Sequence, residues 1–307
     1  MRYIIDRKKI IKCLVKTGLT IDDEKRLIQA INHYNFNTLI NGYSHIFLKK
    51  DKVNRYEKEA SSNQIIDFYE FDLNFANHLL RYILKLEKQL NTAVAYCLID
   101  VYQLHDHCLM KLNPQYIKEK ILVNLDTVNP SISFDNFMNA LVKHCAINDL
   151  TKAYKVKGTS DIYRMWSELP LDLMCVTWSF ATTFNLFISL NSSLIDYIGE
   201  QFNVSSRNTN GFIDFIHNLL IIRNKISHNY VIYNTQIEYQ SNALNNLYNE
   251  LFKVQVKHIG FYELLQMIEY FVNDYSIIKK TKMYFDKLKI KDQFKRRIML
   301  FGVNNEN

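Results

Sequence analysis

From Phe71 to Tyr102 the chain reads FDLNFANHLLRYILKLEKQLNTAVAYCLIDVY, in which Leu79, Ile83, Leu86, Leu90 and Val94 recur at spacings of three and four. That period predicts a long amphipathic helix of roughly 25 to 30 residues. Glu87 falls beside the stripe, where a carboxylate is either a functional group or a buried acid paired with a base from another helix. A second periodic stretch, SSRNTNGFIDFIHNLLIIRNKISHNYVIYN, offers Ser205, Ser206, Asn208 and Asn210 as caps. Its apolar stripe is Phe212, Ile216, Leu219, Leu220 and Ile226.

Elsewhere the pattern is again helical. DDEKRLIQAINH, residues 22–33, opens on acidic residues behind Thr20, a plausible cap, and a turn follows at Asn41 and Gly42. Residues 47–64 are polar and read as an exposed loop or frayed helix, while Pro130 marks 124–135 as a linker. KVKGTSD at 155–161 is a second break, after which Trp166, Trp178, Phe180, Phe184 and Phe187 point to core helices around Pro170. From Asn242 to Phe301 the pattern is helical and ends in a basic segment.

With 48% hydrophobic residues in 307, the chain has ample material for a core, and 7 glycines with 3 prolines are too few for a many-turned β architecture. The expected class is all-α: an N-terminal helical extension over 1–64, a helical bundle over 65–235 and a basic helical segment over 236–307, within one domain. Cys13, Cys97, Cys108, Cys145 and Cys175 include no CxxC pair and lie among apolar residues, so they read as buried free thiols in a reducing compartment. The N-terminal MRYIIDRKKIIKCLVKTGLT has no signal-peptide core, and no stretch approaches a membrane span, so a cytoplasmic, membrane-free protein is expected.

Charge alters the picture at both ends. Residues 279–297, KKTKMYFDKLKIKDQFKRR, hold nine Lys or Arg against Asp286 and Asp292, and residues 1–17 hold six against Asp6, within a formal net charge of +7. The remainder is net acidic. Such polarity suits a polyanion such as RNA, and it equally describes a solvated helix face.

The anomaly in the second stripe is Arg223, four residues after Leu219 and seven after Ile216, where an arginine is costly unless partnered. His228 lies five residues further on, about 7.5 Å along a helix axis and about 140° around it, whereas Asn224 shares its face. The arginine's long side chain, or a loosened last turn, would let the two meet. Cleavage of an RNA phosphodiester needs a proton moved from the 2′-hydroxyl and to the leaving oxygen, and charge stabilised on phosphorus. Imidazole, with an ordinary pKa of about 6.5, moves protons, and the guanidinium fork grips phosphate oxygens. Spacing alone leaves open that the histidine only caps carbonyls at a helix end.

RNKISH resembles the R-N-x-x-x-H signature of HEPN ribonucleases, and the chain at large resembles the Abi family of abortive-infection proteins, of the AbiD and AbiF kind. LVKTGLTIDD, INHYNFNTLINGYSHIF, FYEFDLNFANHLLRYILKLEKQLNTAVAY and LLIIRNKISHNY carry the likeness, in that order, over roughly residues 14–235. The resemblance implies a HEPN-like helical bundle, metal-independent endoribonuclease activity without a cofactor, and a toxin role in phage defence under a restraining partner. It places the catalytic groups at Arg223, His228 and Asn224, with Glu87 matching the acidic position of the long helix and Ser227 supporting. Asn229 stands where many relatives have a second histidine, and Tyr233 where tryptophan is common. Because HEPN enzymes usually join two such motifs and this chain has one, a homodimer is expected.

RNA contacts are expected from Lys225 and from Lys287, Lys289, Lys291, Lys295, Arg296 and Arg297. The alternative is a non-catalytic module holding a structured small RNA, such as an antitoxin RNA. His105, His107 and Cys108, like His144 and Cys145, lack a second ligand pair, so no metal site is expected. Neither phosphate-binding glycine loop nor a G-x-S-x-G elbow occurs.

Overall fold

The computed structural model describes residues 7–50, 54–104, 112, 114–128, 130–147 and 170–298. These residues form helices and loops; among them the only β pairing is two isolated bridges, Thr20 with Ser61 and Leu48 with Tyr56. The architecture is all-α. The principal helices, in chain order, are α1 (Arg7–Lys16), α2 (Glu24–Tyr34), α3 (Ser62–Val101), α4 (Phe134–Ile147), α5 (Phe180–Ser189), α6 (Ser192–Gln201), α7 (Thr209–Ser227), α8 (Asn242–Phe252), α9 (Phe261–Val272), α10 (Ile277–Asp286) and α11 (Asp292–Lys295).

At 40 residues α3 is longer than the stripe predicts, because it starts nine residues before Phe71. Its start is set by a capping box in the polar segment: the Ser61 amide donates to Gln64 Oε1 at 3.1 Å and the Gln64 amide donates to Ser61 Oγ at 3.5 Å. Neither glycine nor proline interrupts the 40 residues that follow. The α2 cap is Asp23, whose carboxylate accepts from the Arg26 amide at 2.9 Å. Thr20, the expected cap, is instead held in the bridge to the chain before α3, its amide donating to the Ala60 carbonyl. The turn expected at Asn41 and Gly42 is a π-helical turn, Asn37–Asn41, running on into a short 3-10 turn. The expected linker contains a single helical turn at Leu125–Val128. The break at 155–161 and Trp166 lie outside the described residues.

Contacts divide the chain into two compact units, each assembled from separated segments that cut across the three sequence blocks 1–64, 65–235 and 236–307. The first comprises 1–81, 222–236 and 260–307. Its core is aromatic: Phe71 packs on Phe68 and Phe285 with ring centroids 5.9 and 5.6 Å apart, Phe75 on Phe261 at 6.1 Å, and Phe47 on Phe294 at 4.9 Å.

The second unit comprises 82–221 and 237–259. Buried Asn91 on α3 satisfies its amide there, donating to the carbonyls of Cys175 and Trp178 and accepting from Thr183. Gly211 lets α7 approach α8 closely, since a Cβ at that position would lie 2.3 Å from the Ala243 carbonyl oxygen. Of the cysteines expected to be buried, Cys97 and Cys175 are; Cys13 is exposed, because α1 buries Ile11 and Leu14 and turns the intervening residues outward.

Candidate functional site

The last six residues of α7, with the chain that follows to Gln236, lie in the first unit. The buried stripe of α7 turns onto Ile222 and Ile226 at this end, which leaves Arg223 at the edge of the stripe and half-buried. Its Nε is buried without a hydrogen-bond partner among the described residues, and its Nη1 lies 3.4 Å from Asn224 Oδ1. The fork of Arg223 is therefore only lightly engaged. Ser227 Oγ donates back to the Arg223 carbonyl at 2.9 Å, a contact within the helix.

His228 is the C-terminal capping residue, exposed, with its amide donating to the carbonyls of Asn224 and Lys225. The next residue, Asn229, turns left-handed at φ 55°, and the Asn229 and Tyr230 amides then close on the carbonyls of Ile226 and Lys225. This is a Schellman ending. Asparagine tolerates that φ better than most side chains, a physical reason for its place beside the histidine. The helix stays regular up to Ser227, and no hydrogen bond joins Arg223 to His228 within the chain.

Asp72, on α3, anchors what comes after. It is 1% exposed and accepts three hydrogen bonds: from the Tyr233 amide at 2.7 Å, the Ile232 amide at 2.9 Å and the Tyr43 hydroxyl at 2.6 Å. Burial pushes its carboxyl up to about 6, against the pull of those three bonds. Tyr43 and Tyr233 are both raised from the usual phenol value by burial and by the neighbouring Asp72. The Tyr233 ring stands edge-on to Phe68 at 4.7 Å, and its hydroxyl meets His45 Nε2 at 2.7 Å. Burial lowers His45 from the usual imidazole value, which favours the neutral ring. A large aromatic at position 233 thus fills a slot and ends in a polar contact, two tasks tyrosine and tryptophan share.

Arg223, Asn224, Lys225, Ser227 and His228 all occur on this one helix end, whereas Glu87 is half-buried and belongs to the second unit. The basic C-terminal residues divide by use. Arg297 is an internal clamp, donating to the carbonyls of Ile46 and Leu48 and pairing with Glu57 at 2.9 Å. Lys291 pairs with Glu59 at 2.9 Å, and Lys295 donates to the Asp286 carbonyl while lying over the Phe285 ring. Arg296 is exposed, and Lys287 and Lys289 line an open groove. His105, His107 and Cys108 lie outside the described residues, as do the side chains of His144 and Cys145. Among the described residues no cluster of His, Cys, Asp or Glu could hold a metal.

Asp72 is the functional candidate that sequence reading passes over. Its signal is the one that singles out Arg223: four residues after Phe68 and seven before Leu79, it is a charge on an apolar stripe.

An all-helical chain whose candidate site is a helix end bearing arginine, asparagine and histidine, strapped down by a buried carboxylate, defines the class. A family model described as Abi-like protein matches residues 29–234, from α2 to the strapped segment, and the chain belongs to that family. Comparisons with curated proteins and with solved structures found no match.

Proposed function

We propose that the protein is a metal-independent endoribonuclease toxin acting in the cytoplasm in abortive infection. The observation that carries this reading is the end of α7: an arginine with an under-used fork and an exposed histidine, five residues apart on a helix end held in place by Asp72. Membership of the Abi-like family supports the phage-defence setting. The RNKISH signature supports the chemistry, because its likeness is to HEPN ribonucleases.

In this mechanism Arg223 grips the scissile phosphate and Asn224 orients it. The ribose 2′-oxygen attacks phosphorus as His228 takes its proton; the P–O5′ bond breaks and the leaving oxygen is protonated. The products are a 2′,3′-cyclic phosphate and a 5′-hydroxyl. The step moves two protons and each chain supplies one His228, so the working form is a homodimer bringing two copies of α7 to one substrate. Light scattering should report that dimer, and a monomer that still cuts RNA would rule it out.

Purified protein should cut labelled RNA in the presence of EDTA and leave cyclic phosphate ends. His228→Ala should lower the rate at least about 100-fold with an unchanged helical spectrum. Dependence on added metal, or 3′-hydroxyl ends, would overturn the mechanism. RNA bound equally by both proteins and cut by neither would favour a non-catalytic RNA-binding module.

A further inference from the structure

The first unit contains an open groove of about 1250 Å³ whose walls are polar at helical spacing. On α3 the lining residues Asn74, Asn77, His78 and Arg81 recur at three, four and seven residues. On α10 and just beyond it, Lys280, Tyr284 and Lys287 recur at four and seven, with Lys289 following. Phe71, Phe75 and Leu288 are the groove's apolar lining, and Phe71 packs on buried Phe285. Two helices thus turn polar faces toward one trough, with Asn74, Asn77, Arg81, Lys280, Tyr284 and Lys287 exposed.

The charges in the trough are not neutralised in place. Arg81, Lys280, Lys287 and Lys289 make no ion pair among the described residues. Two carboxylates also line it, Asp67 and Glu70, and both are engaged by Arg26, at 2.8 and 3.4 Å. Tyr284 is 58% exposed, an aromatic ring standing among cations. Cations with a free ring and amides form the combination that single-stranded nucleic acid uses: phosphates on the charges, a base on the ring, base edges on the amides. The volume exceeds the roughly 300–1,000 Å³ of a pocket closing over one small ligand, so an extended ligand fits better.

The groove also leads somewhere. Asn77 lines both the groove and a narrow cleft whose other residues include Ile226, Asn229 and Tyr230, which flank His228 in the chain. We propose that the groove holds a run of about four nucleotides of single-stranded RNA and delivers the strand past Asn77 toward the end of α7. That the strand is the substrate rests on the ribonuclease reading; that the groove binds it does not.

The test is fluorescence anisotropy with labelled octauridylate and the full chain carrying His228→Ala, so that the probe stays intact. Lys280→Glu with Lys287→Glu should weaken binding by about tenfold or more and flatten the salt dependence by roughly 1.4 in log–log slope, the loss of two single-strand phosphate contacts. Tyr284→Ala should weaken binding several-fold and Tyr284→Phe should restore it, a pattern charge alone does not produce. The same charge reversal at exposed Lys120 and Lys257, outside the groove, should have little effect. Thermal melts establish that each variant is folded.

Equal losses from the groove pair and the control pair, no loss from the groove pair, or duplex RNA binding as tightly as the single strand would each overturn the proposal. If the groove variants behave as expected while the wild-type protein cuts no RNA, the groove stands and the ribonuclease reading falls. If RNA is cut but the groove variants bind and cut normally, the reverse holds.

Discussion

Asp72 shows how one residue couples core to site. Its carboxylate is the sole hydrogen-bond acceptor of the Ile232 and Tyr233 amides among the described residues, and these residues follow His228 by four and five positions. Asp72→Ala would leave two backbone donors buried without a partner, at a cost of about 2–5 kcal/mol, and would free the segment that seats the end of α7. The variant should melt earlier and, under the ribonuclease reading, cut RNA more slowly. Its pH behaviour supplies a sharper check. Burial pushes the folded carboxyl up to about 6 against an ordinary 3.8, so the part of the stability linked to holding its proton is full below about 4 and is lost as pH rises through 6. The shift corresponds to something on the order of 3 kcal/mol. Denaturant melts at pH 4.5 and pH 7 should therefore show a larger pH-dependent loss in the wild type than in Asp72→Ala. Equal losses would remove Asp72 from the account.

At the scale of elements, α3 and α7 were the most legible parts of the chain, because long runs without glycine or proline keep their period. What escaped was the beginning of α3. Its cap is the reciprocal pair Ser61 and Gln64, inside a segment whose polarity reads as loop, and only the spacing S-x-x-Q betrays it. At the end of α7 the spacing of Arg223 and His228 is legible in sequence, but the Schellman turn is not, since the left-handed residue is Asn229 and not glycine. The close approach of α7 to α8 was also invisible, because a lone glycine in a helical pattern has no distinctive signal. Gly211→Ala tests it directly. The added methyl group meets the Ala243 backbone, so one helix must shift, and the melting transition should fall by several degrees, the result of about 1–3 kcal/mol of overpacking. An unchanged melt would mean that the approach has slack.

Over the whole molecule, composition sufficed for the all-α class, while the assignment of basic residues needed coordinates. A run of nine cations against two carboxylates looks uniform in sequence, yet Arg297 clamps carbonyls inside the fold, Lys291 pairs with Glu59 at the surface, and Lys287 and Lys289 face an open trough. Sequence cannot sort them, because their partners Glu57 and Glu59 lie more than 230 residues away. Among the described residues no helix is long and apolar enough to cross a membrane. The match to the Abi-like family ends at residue 234, so α8 to α11, with the basic α10, lie beyond the shared region. If the groove holds RNA as proposed, its selectivity would be set in part by Lys280, Tyr284, Lys287 and Lys289, which lie outside the family match.

The central claim is that Arg223 and His228 cut RNA, and sequencing RNA ends from cells after brief induced expression tests it most directly. The wild-type protein should produce new 5′-hydroxyl ends at discrete sites together with arrested growth, and His228→Ala at equal abundance should produce neither. New ends that persist unchanged with His228→Ala, or growth arrest without any new ends, would contradict it.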